Sequence, residues 1–317
     1  MTTAKTVFLI GLAACLVPMV PPWAALCLGI AIALALGNPF PKESKNVSKV
    51  LLQVCVVLLG FSMDLGTVIK AGSQGILFAL ASILCVFLLG WGLQRALKLR
   101  PVAGLLVSTG TAICGGSAIA AMSTVTDADQ EDVSVAVGTV FILNAIALLV
   151  FPPLGHYFGL TEAQFGTWAG IAIHDVASVV GAGKAYGPLA LDVGTAVKLS
   201  RVLYLIPITL AAAWWIKSKG KREEGKEGSS KAAPFPFFIL GFIGASVVRT
   251  YVPGIGDHAP TIKMVAAVGL AVALYLIGSG ITRKTLQKVG FRPLLQGVIL
   301  WLFISVTAFV AVKATVT

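Results

Sequence analysis

The chain has 317 residues, of which 57% are hydrophobic and 12% charged, and its mean hydropathy is +0.93. A soluble domain is about 45–50% apolar and about 25% charged, so a soluble globular protein is excluded. The net charge of +11 does not mark a nucleic-acid binder, because the basic residues fall between apolar runs and form no single patch. Cys15, Cys27, Cys55, Cys85 and Cys114 all lie inside apolar runs, with neither metal-ligand nor disulfide-framework spacing. The composition describes an all-α polytopic membrane protein.

A helix crossing the hydrocarbon core needs about 20 residues. Apolar runs broken by charge, Pro or Gly give eleven candidate spans, near 7–20, 23–37, 50–66, 74–93, 102–124, 133–153, 163–183, 191–216, 235–252, 262–281 and 294–311. Lys5 followed by an apolar run and Leu12-Ala13-Ala14-Cys15 has the look of a lipoprotein signal, but reads better as a first transmembrane helix. With a cytoplasmic N-terminus, seventeen basic residues fall on the cytoplasmic side, five on the other side and two within a span. The same count puts the acidic run Asp127, Asp129, Glu131, Asp132 outside. The Lys-, Glu-, Gly- and Ser-rich residues 217–233 read as a mobile cytoplasmic linker. The division expected is a first helix over 1–22, a first transmembrane repeat over 23–155 and a second over 156–317, the latter carrying that linker.

Internal symmetry supports the repeats. Residues 59–72 (LGFSMDLGTVIKAG) align without gaps with 277–290 (IGSGITRKTLQKVG), matching Gly60 to Gly278, Lys70 to Lys288 and Gly72 to Gly290. This pairs the third and tenth spans, which run in opposite directions, as in inverted-repeat transporters. A positional scheme pairs spans two to six with seven to eleven instead, and sequence leaves both open.

Span five holds Ser108, Thr109, Gly110, Thr111, Cys114, Gly115, Gly116 and Ser117 near the bilayer midplane. Gly costs about 1 kcal/mol against Ala inside a helix, so Gly115-Gly116 is a place for the helix to open. Backbone groups freed at that depth need partners, and an opened N-terminus favours an anion. Close helix packing through small residues is the alternative. Span ten has a weaker version in Gly278-Ser279-Gly280, near its cytoplasmic end, which by itself is no more than a helix terminus.

Span seven places His174 and Asp175 near its middle, where an ionisable group costs at least a few kcal/mol unless paired or wetted. One of the two can face a site while the other caps a helix break; His174 is either a proton carrier or a neutral donor to a carbonyl. Span eight carries Lys198 and Arg201 three residues apart on one helical face. Lys198 can snorkel, whereas Arg201 is expected to pair with a carboxylate or face an aqueous cavity. Asp175 is mid-span, with Asp64 and Asp192 nearer span ends and Asn144 central in span six. Positive charge at mid-membrane equals or exceeds negative charge, which favours an anionic ligand.

These segments together resemble the YeiH-type family of bacterial inner-membrane proteins, described as sulfate exporters. The resemblance runs from about residue 28 to 312 and is carried by LGN at 36–38, LLGFSMDL at 58–65, GTAICGGSAIAA at 110–121, IHDVASVVGAG at 173–183, AVKLSRVL at 196–203 and GSG at 278–280. It implies a helical transporter of the broken-helix, inverted-repeat type in the bacterial inner membrane.

The function expected is secondary active transport of a small anion, sulfate or an organosulfur acid, by alternating access and without enzymatic activity or cofactor. Thr111, Cys114, Gly115, Gly116, Ser117, His174, Asp175, Lys198 and Arg201 are the expected substrate-binding residues, with His174 or Asp175 coupling transport to protons or ions. No metal, nucleotide or nucleic acid is expected; the partners are the anion, the lipid bilayer and a second copy in a homodimer. The alternatives are a cation/proton exchanger built on Asp175, a passive channel, and a membrane-embedded enzyme for which no HExxH, GxSxG or paired-carboxylate motif is present.

Overall fold

A computed structural model of the chain describes residues 3–66, 69, 76–218 and 237–316. The described residues are helical apart from short connections, with no strand. Among the described residues five segments are long and apolar enough to cross a membrane: 79–96, 131–157, 188–214, 255–278 and 291–315. The protein is a polytopic helical membrane protein. The linker expected at 217–233 lies, from 219 onward, outside the described residues, as do Lys70 and Gly72 of the repeat alignment.

The first four helices are α1 (Thr3–Ala14), α2 (Pro22–Leu36), α3 (Pro41–Gly60) and α4 (Ile76–Ala96). Pro22 and Pro41 sit in the first turns of α2 and α3, where a missing N–H costs nothing. The α1 helix is packed in place: Cys15 is buried beside Phe8, Ala25, Ile32 and Tyr275, and the Tyr275 hydroxyl donates to the Phe8 carbonyl at 2.7 Å.

Span five is two helices, α5 (Pro101–Ala112) and α6 (Gly116–Val125), and span seven is also two, α8 (Glu162–Ala172) and α9 (Val176–Tyr186), with α7 (Gln130–Tyr157) between them. Both pairs were expected to cross the membrane; both instead fold back on themselves. In the first, Ile119 of α6 packs against Gly110 of α5, where an added methyl would lie 2.8 Å from Ile119 Cδ1. Arg100, just before α5, bonds Asp129 at 2.5 Å and Asp132 at 3.2 Å, just beyond α6. The acidic run therefore lies at the same end as Arg100, not opposite it. In the second, the Tyr186 hydroxyl donates to the Leu160 carbonyl at 2.6 Å, and the Phe165 and Tyr186 rings stack with centroids 3.8 Å apart. At 1.5 Å per residue, half-helices of 12 and 11 residues rise about 18 and 16 Å, roughly to the middle of a core about 30 Å thick. Each segment is a re-entrant hairpin.

Beyond the second hairpin come α10 (Pro188–Leu203), α11 (Leu205–Ser218), α12 (Phe237–Tyr251), α13 (Ala259–Gly278), α14 (Arg283–Val289) and α15 (Phe291–Thr315). The helices sort into two groups by packing. One is a panel in the order α2, α13, α3, α12, with α1 laid against α2 and α13. The other surrounds the hairpins and contains α4, α7, α10 and α15; α9 makes most of the contact between the two.

The panel carries the Gly60–Gly278 match into three dimensions. An added methyl on Gly60 would lie 2.5 Å from the Phe242 carbonyl of α12, and one on Gly278 would lie 2.5 Å from the Leu26 carbonyl of α2. The third and tenth spans pack side by side at the panel's centre, and each uses its matched glycine to admit the backbone of an outer helix. Gly278-Ser279-Gly280 is the end of α13, not a break within a span; there Asn38 of the LGN segment donates to Ser279 Oγ at 3.0 Å.

Candidate functional site at the hairpin tips

The turns of the two hairpins, Ile113–Gly115 and Ile173–Asp175, meet inside the hairpin group. Gly115 has φ +66 and ψ −128, a combination an L side chain rarely adopts. A methyl there would stand 3.3 Å from Asp175 Cβ and 3.6 Å from the His174 carbonyl carbon. Glycine at this position thus serves both the sharp turn and the close approach of the second tip.

Four half-helix ends converge here, and the sequence treats them differently. The C-terminal carbonyls of α5 carry the negative end of its dipole, and α10 answers with cations. Arg201 Nη2 donates to the Ala112 carbonyl at 2.7 Å, while Nη1 donates to Ser82 Oγ on α4 at 3.0 Å. Lys198 Nζ reaches the Ile113 carbonyl at 3.5 Å. Arg201 was expected to find a carboxylate or an aqueous cavity; it is buried and finds a carbonyl and a hydroxyl.

The N-terminus of α9 is capped by its own neighbour. Asp175 Oδ1 accepts from the Ser178 amide at 2.6 Å, and Oδ2 accepts from Ser178 Oγ at 3.2 Å and Asn144 Nδ2 at 2.5 Å. Asn144, on α7, also accepts the His174 amide on Oδ1 at 3.0 Å. Each tip is thus held by the helix that follows the other hairpin: α10 holds the first, α7 the second. The C-terminal end of α8 runs into the second turn at Ile173, the residue before His174.

The N-terminus of α6 is the exception. Its N-cap, Gly115, offers no side chain, and of its first amides that of Ala118 meets the Cys114 thiol, a weak acceptor, in place of an oxygen. Gly116 is half-buried, with the Phe141 ring alongside, and Ser117 is exposed. On the two tips and on α10 lie buried polar atoms with no hydrogen-bond partner: both ring nitrogens of His174, Thr111 Oγ1 and Arg201 Nε. Among the described residues no cluster of His, Cys, Asp or Glu is placed to hold a metal ion.

All nine sequence-derived residues therefore belong to one region: Thr111, Cys114, Gly115, Gly116 and Ser117 around the first tip, His174 and Asp175 at the second, Lys198 and Arg201 on α10. Sequence reading noted Asn144 without giving it a place, and missed Ser82 altogether. Ser82 is a lone hydroxyl in the apolar run of α4, which is the only signal it gives.

The family model described as conserved hypothetical protein 698 matches residues 5–297. A UPF0324 membrane protein of Geobacter sulfurreducens is 44% identical over 306 residues, covering 96% of this chain and 95% of that one. One from Porphyromonas gingivalis is 45% identical over 294 residues, covering 91% and 85%. One from Bdellovibrio bacteriovorus is 44% identical over 302 residues, covering 95% and 92%. No solved structure matches. The chain belongs to the UPF0324 family of membrane proteins, which is the YeiH-type family its motifs resemble.

Proposed function

We propose that the protein is a secondary transporter, not an enzyme, that moves a small anion, sulfate or an organosulfur acid, across the bacterial inner membrane by alternating access. One observation carries the reading: of the two positive helix ends at the tips, α9 is capped by the Asp175 carboxylate, while α6 has no oxygen cap and its Ala118 amide meets only the weakly accepting Cys114 thiol, with Gly116 and the exposed Ser117 alongside. An uncapped helix N-terminus in a low-dielectric setting is an anion site. Lys198 and Arg201 add positive charge nearby, and neither forms an ion pair with a carboxylate among the described residues. In this topology the eleven candidate spans, less the two hairpins, cross the membrane, with the N-terminus cytoplasmic. The panel and the hairpin group are the two bodies that move relative to each other.

The test is uptake of labelled sulfate into proteoliposomes by wild type and Ser117→Asp. The new carboxylate sits at an exposed position, where it caps α6 without disturbing the core. Saturable uptake in wild type, reduced at least tenfold in the variant, is the expected result. Equal uptake by the two proteins, or none by wild type, removes the anion reading. A second reading, cation/proton exchange at Asp175, is favoured by that residue being partly exposed while Cys114, His174, Lys198 and Arg201 are buried. It predicts collapse of a cation gradient that Asp175→Asn abolishes.

A further inference from the structure

Lys198 and Arg201 stand one helical turn apart and are 0% and 1% exposed, yet they are held very differently. Arg201 makes two good hydrogen bonds, at 2.7 and 3.0 Å, and a guanidinium keeps its charge throughout the range of protein pH. The Lys198 amine has three positions to satisfy when protonated and one long contact, 3.5 Å to the Ile113 carbonyl.

The charged and titratable groups facing Lys198 are few. They are Cys114 on the first tip, His174 and Asp175 on the second, and Arg201 on its own helix. Asp175 is the one carboxylate among them, and its oxygens are engaged with Ser178 and Asn144. His174 has no acceptor for either ring nitrogen, so an imidazolium there would bury two unpaired N–H donors beside two cations. A second buried positive charge next to Arg201 is costly unless an anion pairs with it.

We propose that Lys198 is the coupling group: the amine and the transported anion take up charge together, so that binding one anion brings one proton to Nζ. Transport is then anion–proton symport, with Arg201 as the permanent cation and Lys198 as the one that comes and goes. The only bond that changes is N–H: the Nζ lone pair takes a proton from hydronium or a buffer acid on the loading side, breaking that donor's bond to it, and gives the proton back to water or buffer on the other side. This rests on the anion reading above.

The experiment uses the full-length protein in nanodiscs with sulfate as the probe. Sulfate affinity is measured between pH 6 and pH 10 for wild type, Lys198→Arg, Lys198→Gln and His174→Gln, and proton uptake on sulfate addition is followed in weakly buffered solution. In wild type, affinity is expected to fall about tenfold per pH unit over the upper part of the range, as one linked proton requires, with a proton taken up for each sulfate bound there. Lys198→Arg is expected to bind with a flat profile and no proton uptake. Lys198→Gln, neutral and smaller, is expected to bind weakly with the same flat profile, which keeps the test valid if arginine is too large to fold. His174→Gln is expected to keep the wild-type slope. A slope retained by both Lys198 variants, or lost in His174→Gln, or absent from wild type that binds sulfate, overturns the coupling and leaves the anion site standing. No sulfate binding by wild type at any pH overturns the anion site and the coupling with it.

Discussion

Arg100 and Asp129 close the mouth of the first hairpin, with Nη2 and Oδ2 2.5 Å apart. Twenty-eight residues separate them in sequence, enough for a full crossing, and their contact puts the two ends of that segment on one side. Cysteines introduced at Lys98 and Asp127, in a background without the five native cysteines, are expected to react with an impermeant maleimide from the same side of sealed vesicles. Cysteines at Gly159 and Gly187 are expected to react together from the opposite side. Labelling of Lys98→Cys and Asp127→Cys from opposite sides would restore the simple crossing.

Asn144 holds both residues of the second turn. Asn144→Ala strands the His174 amide, at about 1–3 kcal/mol for a buried group left unpaired, and leaves Asp175 Oδ2 with Ser178 Oγ alone. Thermal unfolding in detergent should show a clear drop in Tm, and sulfate uptake should fall with it. Asn144→Gln, longer by one methylene, should recover neither fully. A Tm unchanged in Asn144→Ala would mean that α7 does not anchor the second tip.

Gly115→Ala meets both a disfavoured backbone and a neighbouring tip. Strain of this kind costs on the order of 1–3 kcal/mol, before the contact 3.3 Å away at Asp175 Cβ. Transport is expected to be lost with the protein still folded, because the turn must either open or move off the second tip. Gly116→Ala, at an ordinary helical position with its nearest neighbour 3.3 Å away on the Phe141 ring, is expected to be milder. Equal effects from the two substitutions would argue against a special role for the turn at Gly115.

The matched glycines of the panel give a paired prediction. Gly60→Leu and Gly278→Leu each push a side chain into a carbonyl of an adjoining helix and should destabilise by several times the roughly 1–3 kcal/mol of ordinary overpacking. Because the two contacts are equivalent, the two losses of Tm should be similar. A large loss from one and none from the other would remove the symmetry.

Much of this was legible in the residues. Gly115-Gly116 marked the break in span five, the cations on α10 were singled out, and the Gly60–Gly278 alignment found two equivalent contacts. The folding back was not legible, and the reason is physical. A hairpin of two half-helices has the length and apolarity of one crossing helix. The charge count was insensitive as well. Replacing two crossings by hairpins on either side of α7 moves only residues 125–131 and 154–162 to the other face, and these contain no Lys or Arg. The signal available was the acidic run itself, Asp127 to Asp132, which offers Arg100 a partner only if the chain returns. In the second hairpin, Asp175 followed three residues later by Ser178 is the pattern of a helix starting in mid-span.

The glycine contacts between α8 and α10 have a mechanical consequence. Methyl groups added at Gly166 and Gly170 would fall 2.7 and 2.9 Å from the carbonyls of Ala190 and Gly194, so the two helices touch backbone to backbone. Surfaces that close cannot slide without being lifted apart, and they transmit a push almost without give. Whatever force displaces Asp175 therefore carries Lys198 and Arg201 along with it, and through the Arg201–Ala112 bond it carries the tip of the first hairpin too. The junction travels as loaded freight, already assembled on both sides of the journey.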